Sequence, residues 1–182
     1  MNNKYFIEDD IFSQKELLWI YHTLISTPSW SLTRTSKSLS LASNAFNSFP
    51  GLLIEQSGTV KETYLSGYFK SIIFRVQRNI YKKFSINLPD KIIRIAIGAK
   101  SSLSKTSFHY DDEDKDRWTI LGFLNPIWNN KDGGHFYIED EKIEFLPGRI
   151  VVFPSHIIHN GGYIENENLN YWRLSLNIIL SN

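Results

Sequence analysis

The hydrophobic positions of this chain follow two different periods, and the change falls at Pro89. Before it, Leu17, Leu18, Tyr21, Leu24 and Ile25 form a stripe at helical spacing, opened by Ser13 and Glu16 as a Ser-x-x-Glu capping box. Leu65, Tyr68, Phe69, Ile72, Ile73, Val76, Ile80 and Phe84 form a second, longer stripe, which predicts an amphipathic helix over 61–84. A short strand and a turn precede the first helix at 5–12. Between the helices, residues 27–48 are rich in Ser and Thr and keep no period. That stretch reads either as a surface loop with one or two edge strands or as a substrate-facing lid.

After Pro89 the pattern becomes strand-like. KIIRIAIGA, DRWTILGFLN, GHFYIED, KIEFL, GRIVVFP and YWRLSLNIIL are β-branched and aromatic runs, separated by turn signals such as Asp132-Gly-Gly134 and Pro147-Gly148. None is followed by a helix-length insert, so a parallel βαβ sheet is not expected. The fold class is mainly β with helices (α+β): a jelly-roll or barrel braced by two N-terminal helices on one outer face. The 182 residues suit one domain, with 1–90 as a strand, helix and loop support and 91–182 as the β core.

Composition narrows the chemistry. Twenty Lys plus Arg against nineteen Asp plus Glu leave a net charge of +1, so no global field favours nucleic acid. There is no cysteine, which removes disulfides, thiolate metal sites and thiol nucleophiles. A bound metal therefore depends on His, Asp and Glu. The opening MNNKYFIEDD lacks the apolar core of a signal peptide, and no apolar run approaches the roughly 20 residues of a membrane span. The expectation is a soluble, cytoplasmic protein with no membrane partner; the sequence is silent on oligomeric state.

Three places carry candidate chemistry. In Phe108-His109-Tyr110-Asp111, residues two apart on an extended segment share a side, so His109 and Asp111 project together while Asp112 points away. The pair is either a solvated turn beside an acidic run or two ligands of the His/carboxylate facial arrangement that suits non-haem Fe(II). After the buried run Arg149–Pro154, His156 and His159 follow where the chain turns; they are rim residues or the source of a third ligand. In the last strand Arg173, Ser175 and Asn177 alternate with apolar residues. That polar face either meets solvent or lines a barrel, where Arg173 and Ser175 could grip a carboxylate. His135 reads as structural or near the rim, His22 as packing, and Trp118 as a core or rim aromatic rather than a substrate platform, worth noting because it starts the strand just after the ligand loop.

Taken in order, His109-Tyr-Asp111, Phe123-Leu-Asn125-Pro before Trp128, Asp132-Gly-Gly134, Pro147-Gly-Arg-Ile-Val-Val-Phe-Pro-Ser155 followed by His159, and Arg173-x-Ser175 resemble the Fe(II)/2-oxoglutarate-dependent oxygenases, in their prolyl 4-hydroxylase-like branch. The resemblance spans 91–180. It implies a double-stranded β-helix with Fe(II) on His109, Asp111 and His159, which the Pro-Ser-x-x-x-His spacing favours over His156. It implies 2-oxoglutarate held at its distal carboxylate by Arg173 with help from Ser175, O2 as cosubstrate, and ascorbate as a candidate auxiliary reductant. The implied activity is hydroxylation of a C–H bond in a peptidyl or free amino acid or a small metabolite, with release of succinate and CO2. The chain departs from the family pattern in two places. The spacing from His159 to Arg173 is longer, and 99–107 lack Tyr-Gly-x-Gly, so the resemblance assigns no tyrosine to the 2-oxoglutarate site. The alternatives are a metal-free jelly-roll binding module and a cupin-type metalloenzyme that does not use 2-oxoglutarate.

Overall fold

The computed structural model describes residues 4–34, 48–104, 107–168 and 171–182. Residues 35–47, most of the Ser/Thr-rich stretch, lie outside the described residues, as do 105–106 and 169–170. Helix α1 runs Gln14–Ser26. Its capping box is formed: the Ser13 hydroxyl accepts from the Glu16 N–H, and the Glu16 carboxylate accepts from the Ser13 N–H at 2.8 Å. Helix α2 runs Thr63–Phe84, and Ser85 ends it in the left-handed region.

The strands are β1 (Phe6–Glu8), β2 (Ser31–Arg34), β3 (Ser48–Gln56), β4 (Thr59–Val60), β5 (Lys91–Lys100), β6 (Trp118–Phe123), β7 (Phe136–Ile138), β8 (Glu141–Ile143), β9 (Ile150–Pro154), β10 (His159–Gly161) and β11 (Arg173–Ser181). They form two sheets. The larger runs β1-β9-β6-β11-β5-β3-β2, with β4 against β3; the smaller runs β10-β7-β8. Every described pair is antiparallel, and past β5 no α-helix intervenes between the described strands.

Period-two alternation divides the larger sheet into two working faces. Ile95, Ile97, Ile120, Ile150, Val152, Leu174, Leu176, Ile178 and Leu180 pack with Leu17, Ile20, Leu24, Phe69, Ile72, Val76 and Ile80 of the helices. On the other face Leu121, Phe123, Val151 and Phe153 meet Phe136, Ile138 and Ile143 of the smaller sheet. Trp118 takes the core alternative: it is partly buried against the helix-facing cluster, where it stacks on Phe6. His22 is corrected: it is exposed on α1 rather than packed. The space between the two sheets is where the polar positions of β5, β6 and β11 point.

Candidate metal and carboxylate site

Two segments that are distant in sequence meet at the mouth of this space. The His109 N–H donates to the His159 carbonyl at 3.0 Å, and the His159 N–H donates to the His109 carbonyl at 2.8 Å. The Asp111 N–H donates to the Ser155 carbonyl at 3.0 Å. These main-chain bonds clip the loop before β6 onto the turn leading into β10. His109, Asp111 and His159 thereby each offer a ligand atom, all within 4.8 Å of one another.

Both imidazoles are oriented from behind. The Nδ1 of His109 lies 2.9 Å from the Ser107 carbonyl, and that of His159 lies 2.9 Å from the Ile157 carbonyl. A carbonyl can only accept, so each Nδ1 carries the proton and each Nε2 keeps its lone pair for a metal. Burial, reinforced by His159, lowers the His109 pKa and favours the neutral ring. Asp111 Oδ2 accepts from Thr119 Oγ1 at 2.9 Å and Asn177 Nδ2 at 3.0 Å, while Oδ1 faces Arg94 at 3.6 Å. Burial opposes its charge, but His159, Arg94 and His109 together with the Asn177 hydrogen bond outweigh it, so the Asp111 pKa is lowered. Two imidazoles and one carboxylate, without thiolate, form a donor set that suits Fe(II).

The neighbouring polar residues stand apart from this cluster. Asp112 turns away to pair with Arg117. His156 is exposed, and His135 is buried with Nδ1 accepting from the Phe145 N–H at 3.3 Å.

Arg173 opens β11 and is only 2% exposed. Its guanidinium lies over the Phe145 and Phe123 rings, 4.9 and 5.8 Å from their centroids. Among the described residues it forms no ion pair, and its Nε has no hydrogen-bond partner. Burial lowers its pKa to about 10, far enough above neutrality to keep it charged. A Cβ on Gly134, which has φ +71°, would stand 3.0 Å from Arg173 Cδ and 3.2 Å from Nε, so only glycine leaves the guanidinium this room. Ser175 lies two residues along the same strand face, and Asn177 two further. A buried, unneutralised guanidinium is an anion site in search of its anion.

Sequence reasoning set Asn177 on the polar face of the last strand without a role, and passed over Thr119, Arg94 and Lys100. Thr119 and Asn177 position Asp111, Arg94 faces it, and Lys100 sits opposite Arg173 in the β5–β11 register. Thr119 and Asn177 sit at inward positions of alternating strands, which is the signal that marked Arg173 and Ser175.

No protein-family model and no curated protein sequence matches the chain. Solved structures do. A prolyl-4-hydroxylase from Pseudomonas putida superposes with a TM-score of 0.70 at 13% identity, over 100% of this chain and 94% of that one. The viral collagen prolyl hydroxylase of Paramecium bursaria Chlorella virus-1, in its 2OG complex, gives 0.65 at 13% identity over 100% and 97%. A 2OG-Fe(II) oxygenase family protein from Burkholderia pseudomallei gives 0.63 at 16% identity over 98% and 85%. The chain has the double-stranded β-helix fold of these oxygenases.

Proposed function

We propose that this chain is an Fe(II)- and 2-oxoglutarate-dependent dioxygenase that hydroxylates a C–H bond. The observation that carries the reading is the pairing of two sites in one interior: three converging donors at its mouth and a buried, unneutralised guanidinium deeper in. In this fold that pairing fits a chelating ligand with a carboxylate at its far end. His109, Asp111 and His159 would hold the metal, Arg173 the distal carboxylate of 2-oxoglutarate, and Ser175 would add a hydroxyl.

Bound there, Fe(II) would supply an open coordination sphere for the 2-oxo acid and O2, with O2 the oxidant of both the 2-oxo acid and the C–H bond. One oxygen atom ends in the product alcohol and the other in succinate, with CO2 released. The chain's own work is positional. The carbonyls of Ser107 and Ile157 hold the imidazole tautomers, Thr119 and Asn177 hold Asp111, and the apolar wall of Phe123, Phe136, Phe145 and Phe153 keeps water from the interior.

The substrate is an amino-acid side chain, peptidyl or free, or a small metabolite. The prolyl hydroxylases among the similar structures make a peptidyl residue the first class to test. The burial of Arg173 speaks against a metal-free binding module, for which that face would meet solvent. Anaerobic Fe(II) titration with and without 2-oxoglutarate tests the reading. A metal-to-ligand charge-transfer band that needs both is expected, followed by succinate release under O2 from a screen of amino acids and peptides. Fe(II) binding without the band would leave the cupin-type reading, and no Fe(II) binding would leave the binding module.

A further inference from the structure

The β5–β11 ladder sets Lys100 directly opposite Arg173. On β5, Ile95, Ile97 and Ala99 face the helices, so Arg94, Ala96, Gly98 and Lys100 line the interior. Ala96 and Gly98 leave the middle of that face low, with a cation at each end. A single point measures how close the deep pair comes. A Cβ built on Gly161 would lie 3.2 Å from Lys100 Nζ and 3.6 and 3.8 Å from the two terminal nitrogens of Arg173. The ammonium and the guanidinium therefore converge on one spot, two residues beyond His159 on the same strand face.

Lys100 Nζ donates to the Gly161 carbonyl at 3.4 Å, a long bond for an ammonium. Burial first, and the charge on Arg173 second, lower its pKa to about 7. Two like charges held together in a poorly solvated pocket work against the free protein, and among the described residues no carboxylate pairs with Arg173 to offset this. The arrangement becomes favourable when an anion enters between them.

We propose that Lys100 is the second arm of a two-cation clamp on the distal carboxylate of 2-oxoglutarate, and that this clamp restricts the pocket to dicarboxylic 2-oxo acids. The inference rests on the cosubstrate reading above and adds a residue and a selectivity to it. Arg173 supplies the planar fork and Lys100 a point charge from the facing strand.

The test compares two ligands with the same chelating end. The Fe(II)-loaded protein is titrated anaerobically with 2-oxoglutarate and with 2-oxovalerate, which lacks the distal carboxylate, following binding by calorimetry and by the charge-transfer band. The wild type should strongly prefer 2-oxoglutarate. Lys100→Met should weaken 2-oxoglutarate by roughly 10- to 150-fold, the range for losing one hydrogen bond to a charged group, and leave 2-oxovalerate within about threefold. The free Lys100→Met protein should also melt no lower than wild type, because a buried like charge has been removed. Unchanged 2-oxoglutarate affinity, an equal loss for both ligands, or a lower melting temperature would overturn the clamp. A wild type that does not distinguish the two ligands would instead remove the cosubstrate reading itself, and the clamp with it.

Discussion

His109 and His159 face each other as a reciprocally hydrogen-bonded pair, 50 residues apart in sequence, with ring centroids 4.5 Å apart. Each backbone fixes the other, so the two imidazoles are positioned by main chain rather than by flexible side-chain contacts. The metal geometry is thus built into the sheet edge before any ion arrives.

His159→Ala should abolish Fe(II) binding, while the exposed His156→Ala should retain it with an affinity close to wild type. Equilibrium dialysis with metal quantification distinguishes the two. Iron retained by His159→Ala and lost by His156→Ala would move the third ligand.

Asp111→Ala should likewise lose the metal, whereas Asp112→Ala removes the pairing with Arg117 and the bond Asp112 accepts from the Asp114 N–H, and should keep it. Asn177→Ala deletes one of the donors that orient Asp111 and should weaken Fe(II) by about 10- to 100-fold, the usual range for groups behind a ligand. The same dialysis reads all three, and equal losses at 111 and 112 would show the register to be wrong.

Arg173→Ala should keep Fe(II) and lose about 2–5 kcal/mol of 2-oxoglutarate binding, roughly 30- to 4,000-fold. Arg173→Lys should recover only part of this, since an ammonium lacks the fork. Ser175→Ala should cost no more than about 1.5–3 kcal/mol. Half-saturation of succinate release by 2-oxoglutarate is the measurement.

Stability of the free protein should rise with pH above neutrality. Lys100 has a pKa of about 7 in the fold against 10.5 unfolded, so between these values the unfolded chain binds more protons. Its contribution is present above 10.5 and lost as pH falls toward 7. Chemical denaturation at pH 7 and pH 9.5 should show the increase in wild type and a smaller one in Lys100→Met.

Ser13→Ala should destabilise the fold by about 1 kcal/mol through loss of the α1 cap, with no effect on Fe(II) affinity. Glu16 would lose only one of its anchors, because Arg75 also holds it at 2.6 Å. Thermal denaturation and metal dialysis on the same sample check both halves.

What could be read in advance was local or periodic. The Ser13–Glu16 box, the α2 stripe and the alternation of β11 are written in neighbouring residues, and each corresponds to an observed element. The strand β3 was not legible beyond a hint of edge strands before it, because Pro50 and Gly51 look like turn residues; the strand forms because its backbone pairs with β5 and Gly51 lies opposite Gly98. Three-residue β10 has too few positions to show a period, and its pairing with Phe136–Ile138 defines it. In the site, the approach of His109, Asp111 and His159 was readable from spacing combined with resemblance. Lys100 was not, because it stands at the border of a polar loop and its importance arises only from the register that brings Arg173 across from it.

The placement of β11 also governs the order in which the molecule can be made. It lies between β5 and β6, so neither of those strands has its second neighbour until β11 enters the sheet. As the chain emerges during synthesis, β5 can pair with β3 early, but β6 waits for β9 and then for β11, more than 50 residues later in the sequence. Such long-range closure is slow, and the half-finished sheet exposes open edges that chaperones bind. The strand that completes the sheet is the one that delivers Arg173, Ser175 and Asn177. A nascent chain therefore cannot present the proposed 2-oxoglutarate site, or orient Asp111 fully, before its hydrophobic core has closed.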